Sequence, residues 1–453
     1  MPFNNKNVLV LGAGVSGISV AHILQQRGAQ VTLSDAKGVQ LLTKQDFSLI
    51  KDSGVVLALG RQDEQLLEAI DYVVISPGIS IDIPLIKAAR RKGITVMSEI
   101  EIAYRLCSVP MVAITGTNGK TTTTTLIGEM MKVAKRDVAV GGNIGLALSQ
   151  EVAQVGEKGI VIAEISSFQL EGIINFRPHI AAILNITPDH LDRHHSMENY
   201  IAMKERVFAN QNNNDYIVLN YDDAIVRDMS NRVTSQVFFF SRQTDLTSGI
   251  FVKDGMITIK WAGEMTPVCP ITDIQLRGGH NIENILAACG VAFLAGVKVA
   301  DMVQTIHDFI GVEHRIELVT RVEDVAYYND SKATNPESSI KALEAFEGNI
   351  ILIAGGRDKN TDLTAFMQLV KEKVDHLILI GEAAKRFKVA AWEYGVKNIH
   401  DAVSLPDAVK LAHGLASSPQ VVLLSPACAS YDMFNSYEER GRLFKKLVHE
   451  LCC

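Results

Sequence analysis

The chain has 453 residues, enough for two or three domains of about 150 residues each. Hydrophobic residues make up 47% and charged ones 21%, and 44 basic against 51 acidic side chains give a formal charge of −7; this is an ordinary globular composition that argues against nucleic acid as the main partner. No apolar run nears the ~20 residues that span a bilayer, no leader pattern opens the chain, and Cys107, Cys269, Cys289, Cys428, Cys452 and Cys453 form no Cys-x-x-Cys pair, so a cytoplasmic protein without membrane span, zinc ribbon or disulfide framework is expected.

Asn7 to Leu11 (NVLVL) is a continuous apolar run, the mark of a strand buried on both faces, and it ends in Gly12-Ala-Gly14-Val15-Ser16-Gly17. A helical segment and a second strand, Ala29 to Ser34, follow, and Asp35 closes the unit. Strand, glycine turn, helix, strand and acid form the dinucleotide fingerprint, in which glycines let backbone N–H groups approach a phosphate and the acid accepts from a ribose or base. Taken alone the pattern fits NAD or FAD, another nucleotide, or a tight turn of purely structural use. Another strand, Tyr72 to Ile75, runs into the Ser76-Pro77-Gly78-Ile79 loop, where ligands gather outside strand ends. After one more strand, Lys92 to Val96, no dehydrogenase half follows.

Instead Met111 to Thr115 leads into Gly116-Thr117-Asn118-Gly119-Lys120-Thr121 and a helix from Thr122 to Lys135. Backbone N–H groups at that helix start, the Lys120 charge and the Thr121 hydroxyl suit a nucleotide triphosphate with Mg²⁺, although the glycine spacing departs from the strict phosphate-loop pattern. A strand from Gly159 to Ala163 delivers Glu164 where a metal-facing carboxylate sits in such folds, a position equally compatible with a plain structural acid. A strand from Ile180 to Ile186 precedes Thr187-Pro188-Asp189-His190-Leu191-Asp192-Arg193-His194-His195. Zinc is the first thought for that cluster, Mg²⁺ fits better beside a triphosphate, and a surface histidine loop is the bland alternative. Residues Tyr216 to about Ile274 predict a small β subdomain without chemistry, with a hairpin turning on Asp254-Gly255. Asn281 and Asn284, three apart on the next helix, either bracket a base edge or cap and solvate the helix.

From Gly311 a third α/β unit is predicted, with strands Val325 to Tyr328, Ile350 to Ala354, His376 to Ile380 and Val421 to Leu424. Its loops carry Asn329-Asp330-Ser331-Lys332-Ala333-Thr334-Asn335-Pro336, Gly355-Gly356-Arg357-Asp358-Lys359 and Ser425-Pro426-Ala427-Cys428-Ala429-Ser430. Asn335 and Pro336 suit a helix cap and first turn, and Lys332 with Lys359 suit an anion clamp or two surface lysines.

In this order GAGVSG, SPGI, TGTNGKTTT, GGNIG, EISSFQLE, NITPDHLDRH, HNIENILAA, EHRIE, YNDSKATNP, GGRDK and SPACASYD span the whole chain, and the set resembles the Mur ligases of peptidoglycan synthesis. The resemblance implies an α/β fold of three domains: a Rossmann-like N-terminal unit at 1–98 holding the UDP of a sugar nucleotide, a central phosphate-loop NTPase-like domain with a small β subdomain at 99–311, and a C-terminal Rossmann-like domain at 312–453. It implies a UDP-substrate site at Gly12, Gly14, Val15, Ser16, Gly17, Asp35, Gly78 and Asn143, and an ATP site at Gly116, Thr117, Asn118, Gly119, Lys120, Thr121, Thr122, Asn281, Asn284, Arg315 and Asp330. Thr121, Glu164, His190 and a carbamylated Lys204 would hold Mg²⁺, in two ions, with Lys120, His190 and Lys204 as the catalytic group. Lys332, Thr334, Lys359, Ser430 and Tyr437 would take D-glutamate, Tyr437 standing where family members commonly carry phenylalanine.

The implied reaction phosphorylates the L-alanyl carboxylate of UDP-N-acetylmuramoyl-L-alanine with ATP and lets the D-glutamate amine displace phosphate, in a monomer that closes its C-terminal domain over ATP. YNDSKATN and SPGI favour the D-glutamate member, and the Asp-Asn-Pro-Arg motif of the diamino-acid member is missing from the sequence. From the residues alone the rivals are an oxidoreductase built on GAGVSG and a nucleotide switch without catalysis.

Overall fold

A computed structural model describes residues 3–38, 50, 53–276, 278–358 and 361–451, so Lys359, Cys452 and Cys453 lie outside the described residues. Five short apolar runs form the first sheet: β1 (Asn7–Leu11), β2 (Gln30–Asp35), β3 (Val56–Leu59), β4 (Tyr72–Ile75) and β5 (Thr95–Ser98), all parallel in the order β3-β2-β1-β4-β5. Val8 and Val10 enter one hydrophobic cluster and Leu9 and Leu11 another, which is why β1 is apolar without alternation: both its faces are covered. The order reverses at β1, and the crevice beyond its C-terminal end is where the glycine turn and the SPGI loop lie.

The second sheet joins β6 (Met111–Thr115), β7 (Val138–Gly142), β8 (Ile160–Glu164), β9 (Ile180–Ile183), β10 (Tyr216–Asn220), β11 (Gln236–Ser241), β12 (Gly249–Lys253), β13 (Met256–Trp261) and β14 (Glu264–Pro270) in the order β14-β13-β12-β11-β10-β9-β6-β8-β7. The segment from Tyr216 on therefore extends the central sheet. Its strands pair in parallel through β11 and β12 and turn antiparallel only at the far edge, where the Asp254-Gly255 hairpin forms with both residues at positive φ (49° and 76°). Periodicity could flag the hairpin but not the β10–β11 pairing that joins it to the rest.

Glu101 is fully buried and accepts from the backbone N–H groups of Ile174, Asn175 and Phe176 and from Arg105, and Ser98 N donates to Gly172 O at 2.9 Å. These bonds lock β5 and its following helix (Glu99–Leu106) to the central sheet, and the first two sheets belong to one compact unit, Met1–Ile274 with His280–Asp308.

The other unit, Gln275–Gly279 with Phe309–Cys453, carries β15 (Glu317–Val322), β16 (Val325–Asn329), β17 (Ile350–Gly355), β18 (Val374–Ile380), β19 (Ile399–Asp401) and β20 (Val421–Leu424) in the order β15-β16-β20-β17-β18-β19. β15 runs antiparallel and the rest are parallel. Again alternate residues feed opposite clusters, Leu352 and Leu377 on one face and Ile351 and Ile378 on the other. The edge strands β15 and β19 escaped the apolar-run signal because one is amphipathic and the other only three residues long.

Candidate active site

Residue Gly12 adopts φ 98°, and a Cβ on Gly17 would sit 1.8 Å from Gly12 O, so only glycine lets the helix Val15–Gln26 start this close to β1. Asp35 reaches back from the end of β2: its Oδ2 accepts from Ala13 N at 2.8 Å and its Oδ1 from Lys37 N at 2.9 Å. The acid expected to meet a ribose thus also fixes the turn. Gly14 and Val15 are exposed at the helix start and Ser16 is half-buried, while Ser76 Oγ donates to Gly12 O at 3.1 Å and ties the SPGI loop, with exposed Gly78, to the same crevice.

Around the second glycine turn the polarity is reversed. Gly116 (φ 145°) offers its carbonyl to two lysines: Lys120 Nζ donates to Gly116 O at 2.9 Å and to Thr117 O at 2.7 Å, and Lys204 Nζ donates to Gly116 O at 2.8 Å. Lys204 is buried, on the helix Met197–Glu205, with Nζ 4.8 Å from the centre of the Tyr200 ring. Burial first, and the Lys120 charge second, push the Lys204 pKa well below 10.5. Tyr200, four residues earlier on the same helix face, hydrogen-bonds Thr117 Oγ1 at 3.1 Å, and burial raises its phenol to about 12. That i, i+4 pair was readable in the sequence and went unused.

The loop also packs on the helix Gly279–Leu294: a Cβ on Gly119 (φ 84°) would meet Asn284 Oδ1 at 2.1 Å, and Asn284 Nδ2 donates to Asn281 Oδ1 at 3.1 Å. Asn284 therefore lies against the Gly116–Thr121 loop, with Asn281 bonded to it. Asn118 N donates to Asn185 Oδ1 at 2.8 Å, and Thr121 and Thr122 are buried in the first turn of the helix Lys120–Val133.

Register places Glu164 beside the loop, since it pairs with Ile114 across β6 and β8. Its Oε1 accepts from Asn143 Nδ2 at 2.8 Å, and its Oε2 is buried without a hydrogen-bond partner. Asn143, assigned to the sugar nucleotide, thus also holds the candidate metal ligand. An orphaned carboxylate oxygen next to a phosphate loop fits Mg²⁺, a cation that takes few protein oxygens and completes its shell from phosphate and water. His190 (φ 52°) stands apart, with its side chain 49% exposed, its ring 4.7 Å from Phe168 and its Nε2 3.5 Å from Asp189 Oδ2. Among the described residues no three His, Cys, Asp or Glu side chains converge as a metal cage; His194 also packs on Phe168, at 5.5 Å, but it is buried, its Nε2 3.0 Å from Ser167 Oγ.

In the other unit the loops after β16 and β20 meet around buried Arg440, which sequence inspection did not single out. Its guanidinium donates to Ser331 Oγ (3.0 Å), Ser331 O (2.8 Å) and Cys428 O (3.1 Å), from the helix Tyr437–Glu450. Burial with only neutral acceptors drops its pKa to about 10. Ser331 Oγ donates to Tyr437 O at 2.8 Å, and Lys332 Nζ lies 5.8 Å from the centre of the Tyr437 ring, so those two predicted acceptor residues are neighbours. Ser430 is buried on the third loop and Thr334 half-buried on the first. Asp358 is bound by Arg386 at 2.6 and 2.8 Å, which anchors the loop leading to Lys359. Asp330 is fully buried, accepts from Ser425 Oγ (2.7 Å) and Ile316 N (3.2 Å), and burial raises its pKa from 3.8 to about 7 against the pull of Ser425 and Arg315. Arg315 keeps a buried Nε without a partner.

Comparison with known proteins covers the length of the chain. The family models that match are the Mur ligase MurD-like, N-terminal domain over residues 6–98, the Mur ligase middle domain over 114–292, and the Mur ligase, glutamate ligase domain over 314–428. A UDP-N-acetylmuramoylalanine–D-glutamate ligase of Thermoanaerobacter sp. (strain X514) is 46% identical over 453 residues, all of both chains. Its counterpart in Pelotomaculum thermopropionicum (strain DSM 13744 / JCM 10971 / SI) is 46% identical over 449 residues, 99% of this chain and 98% of that one. Among solved structures, UDP-N-acetylmuramate-alanine ligase from Thermotoga maritima aligns with a TM-score of 0.61 at 18% identity over 98% of this chain and 99% of its own. A pseudomurein peptide ligase type C from Methanothermus fervidus aligns at 0.59 and 18% over 99% and 100%, so both share the fold.

Proposed function

The chain belongs to the Mur ligase family, and from that premise we propose that it is the ATP-dependent amide ligase that adds D-glutamate to UDP-N-acetylmuramoyl-L-alanine in peptidoglycan precursor synthesis. The observation that carries the reading is identity held from end to end with relatives named for that reaction.

In this reading an oxygen of the L-alanyl carboxylate attacks the γ-phosphorus of ATP, and ADP leaves. The amine of D-glutamate then attacks the acyl carbon, loses a proton and expels phosphate, forming the amide. Residues 1–98 hold the UDP-sugar, with Gly12 to Gly17, Asp35, Gly78 and Asn143 at its nucleotide and sugar. Residues 99–311 hold ATP through Gly116 to Thr122, Asn281 and Asn284, and Lys120 swings from the loop carbonyls to the phosphates. In residues 312–453, Lys332, Thr334, Lys359, Ser430 and Tyr437 take D-glutamate, and Arg315 and Asp330 take the ATP-facing role. Thr121, Glu164, His190 and Lys204 as its carbamate would hold two Mg²⁺ ions, which neutralise phosphate charge when bound. Support for the carbamate comes from the depressed Lys204 pKa: a neutral amine adds CO₂ and releases a proton, so the buried amine becomes an anionic ligand. Four described cysteines, Cys107, Cys269, Cys289 and Cys428, are free thiols, in keeping with a cytoplasmic enzyme working as a monomer on small molecules. No helix among the described residues is long and apolar enough to cross a membrane.

The test is phosphate release measured with each substrate left out in turn. Release requires ATP, Mg²⁺, UDP-N-acetylmuramoyl-L-alanine and D-glutamate together; release without the amino acid, or equal release with L-lysine, contradicts the assignment.

A further inference from the structure

Three loops of the second compact unit, those after β16, β17 and β20, are gathered on one side chain. Arg440, fully buried in the helix Tyr437–Glu450, donates from Nε to Ser331 Oγ and from Nη2 to Ser331 O on the first loop. On the third loop Nη1 and Nη2 donate to Cys428 O at 3.2 and 3.1 Å, and Nη1 reaches Ala429 O at 3.4 Å. Ala429 O also accepts from Arg357 N at 2.8 Å, which brings in the loop after β17. Gly356 (φ 136°) in that loop passes so close that a Cβ would meet Ala429 O at 2.4 Å and Arg440 Nη1 at 3.2 Å.

Neighbours in the chain give these bonds a consequence. Ser331 precedes Lys332, Ala429 precedes Ser430, and Tyr437 opens the helix one turn before Arg440. Arg440 thus grips the backbone beside residues assigned to D-glutamate, through residues that have no such assignment. Ser331 Oγ accepts from Arg440 and donates to Tyr437 O at 2.8 Å, which closes the ring from loop to helix. Asp330, the ATP-facing residue on the other side of Ser331, has supports of its own: Ser425 Oγ and Ile316 N donate to its carboxylate, and its N–H donates to Leu424 O at 2.7 Å. A guanidinium suits this task better than an ammonium, because its planar fork addresses acceptors on two loops at once while Nζ is a single point. Burying a cation among neutral acceptors costs desolvation energy, which the bonds to both loops offset.

We propose that Arg440 is a positioning residue of the acceptor pocket: holding the three loops together, it sets where Lys332, Ser430 and Tyr437 stand and so governs the affinity for D-glutamate but not for ATP or the UDP-sugar. The inference rests on the reaction proposed above.

The experiment measures KM for D-glutamate, ATP and UDP-N-acetylmuramoyl-L-alanine separately, by phosphate release, in full-length wild-type, Arg440→Lys and Ser331→Ala proteins. Arg440→Lys keeps the charge and loses the fork. It should raise KM for D-glutamate at least about tenfold, as expected for loss of a charged hydrogen bond, with the other two KM values within about threefold. Ser331→Ala removes the Nε acceptor and the bond to Tyr437 O, and should raise the same KM about threefold or more with the same selectivity. The double variant should fall short of the product of the two effects, because both break one contact. Should Arg440→Lys fail to fold, as circular dichroism would show, the Ser331→Ala comparison decides. KM for D-glutamate unchanged in the variants that fold, or KM for ATP raised as much, overturns the proposal while leaving the reaction standing. Phosphate release by wild-type protein that ignores D-glutamate overturns the reaction and this inference with it.

Discussion

Two glycine turns, each between a buried parallel strand and a helix, carry opposite charges in this protein. At Gly12 to Gly17 the turn's N–H is met by a carboxylate of the chain itself, Asp35, whose Oδ2 accepts from Ala13 N. At Gly116 to Thr121 the turn's carbonyls are met by Lys120 and, at Gly116 O, by Lys204 as well. The first turn is already balanced, and suits a ligand read largely through hydrogen bonds and shape. The second gathers two lysine ammonium groups, and burial first with the Lys120 charge second lowers the Lys204 pKa against the pull of Asp189 and Glu164. A shared backbone device thus sits in two different electrostatic settings, set by the side chains that reach it from elsewhere in the chain.

The contrast is broken most sharply at Lys120. Lys120→Ala should lower turnover by about 10²- to 10³-fold while UDP-substrate affinity at the first turn stays within about threefold; parallel loss of both would mean that the turns are not independent. Lys204→Ala should cost about 10²-fold in turnover, and mass analysis of the wild-type protein under CO₂ should show the carbamate adduct, absent from the variant. Its pH dependence has a definite sign. Folded Lys204 binds fewer protons than unfolded, so stability rises with pH from the depressed folded pKa up to the ordinary 10.5, and carbamylation is lost as pH falls through that folded pKa. Lys204→Met, measured by chemical denaturation across pH, should flatten that slope.

Steric substitutions sharpen the same comparison. Gly17→Ala drives a Cβ into the backbone of Gly12, which cannot move aside, and should cost about 3 kcal/mol or more of unfolding free energy. Gly119→Ala meets the end of the Asn284 side chain, which can move, and should cost about 1–2 kcal/mol from the left-handed backbone. Equal costs would contradict the packing described. The smallest effect is expected at Asp35→Ala, where one lost turn hydrogen bond should weaken UDP-substrate binding about tenfold with ATP binding unchanged in direct titration.

What could be read from the sequence follows from how local each feature is. The parallel strands β1, β4, β6 and β20 were found to the residue, because a strand buried on both faces is a bare apolar run. The glycine turn at Gly116 to Thr121, Glu164 at the end of β8 and the contact between Asn281 and Asn284 could be placed from sequence because each is one contiguous motif. Out of reach were roles set by distant partners. Lys204 meets Gly116 O across 88 positions, Arg440 meets Ser331 across 109, and no spacing rule links either pair. Asp35, expected to face a ligand, is seen holding the turn, and Asn143, expected at the sugar nucleotide, is seen holding Glu164. His190 and His194, grouped by sequence proximity, both pack on Phe168 but differ in setting, one half exposed and the other buried on Ser167.

The chemistry assigned to the second turn makes one direct demand: an oxygen of the L-alanyl carboxylate must end up in the released phosphate. UDP-N-acetylmuramoyl-L-alanine labelled with ¹⁸O in that carboxylate, turned over with ATP, Mg²⁺ and D-glutamate, should yield inorganic phosphate carrying one labelled oxygen per amide formed. Unlabelled phosphate, with the amide made all the same, would contradict an acyl phosphate built at Lys120.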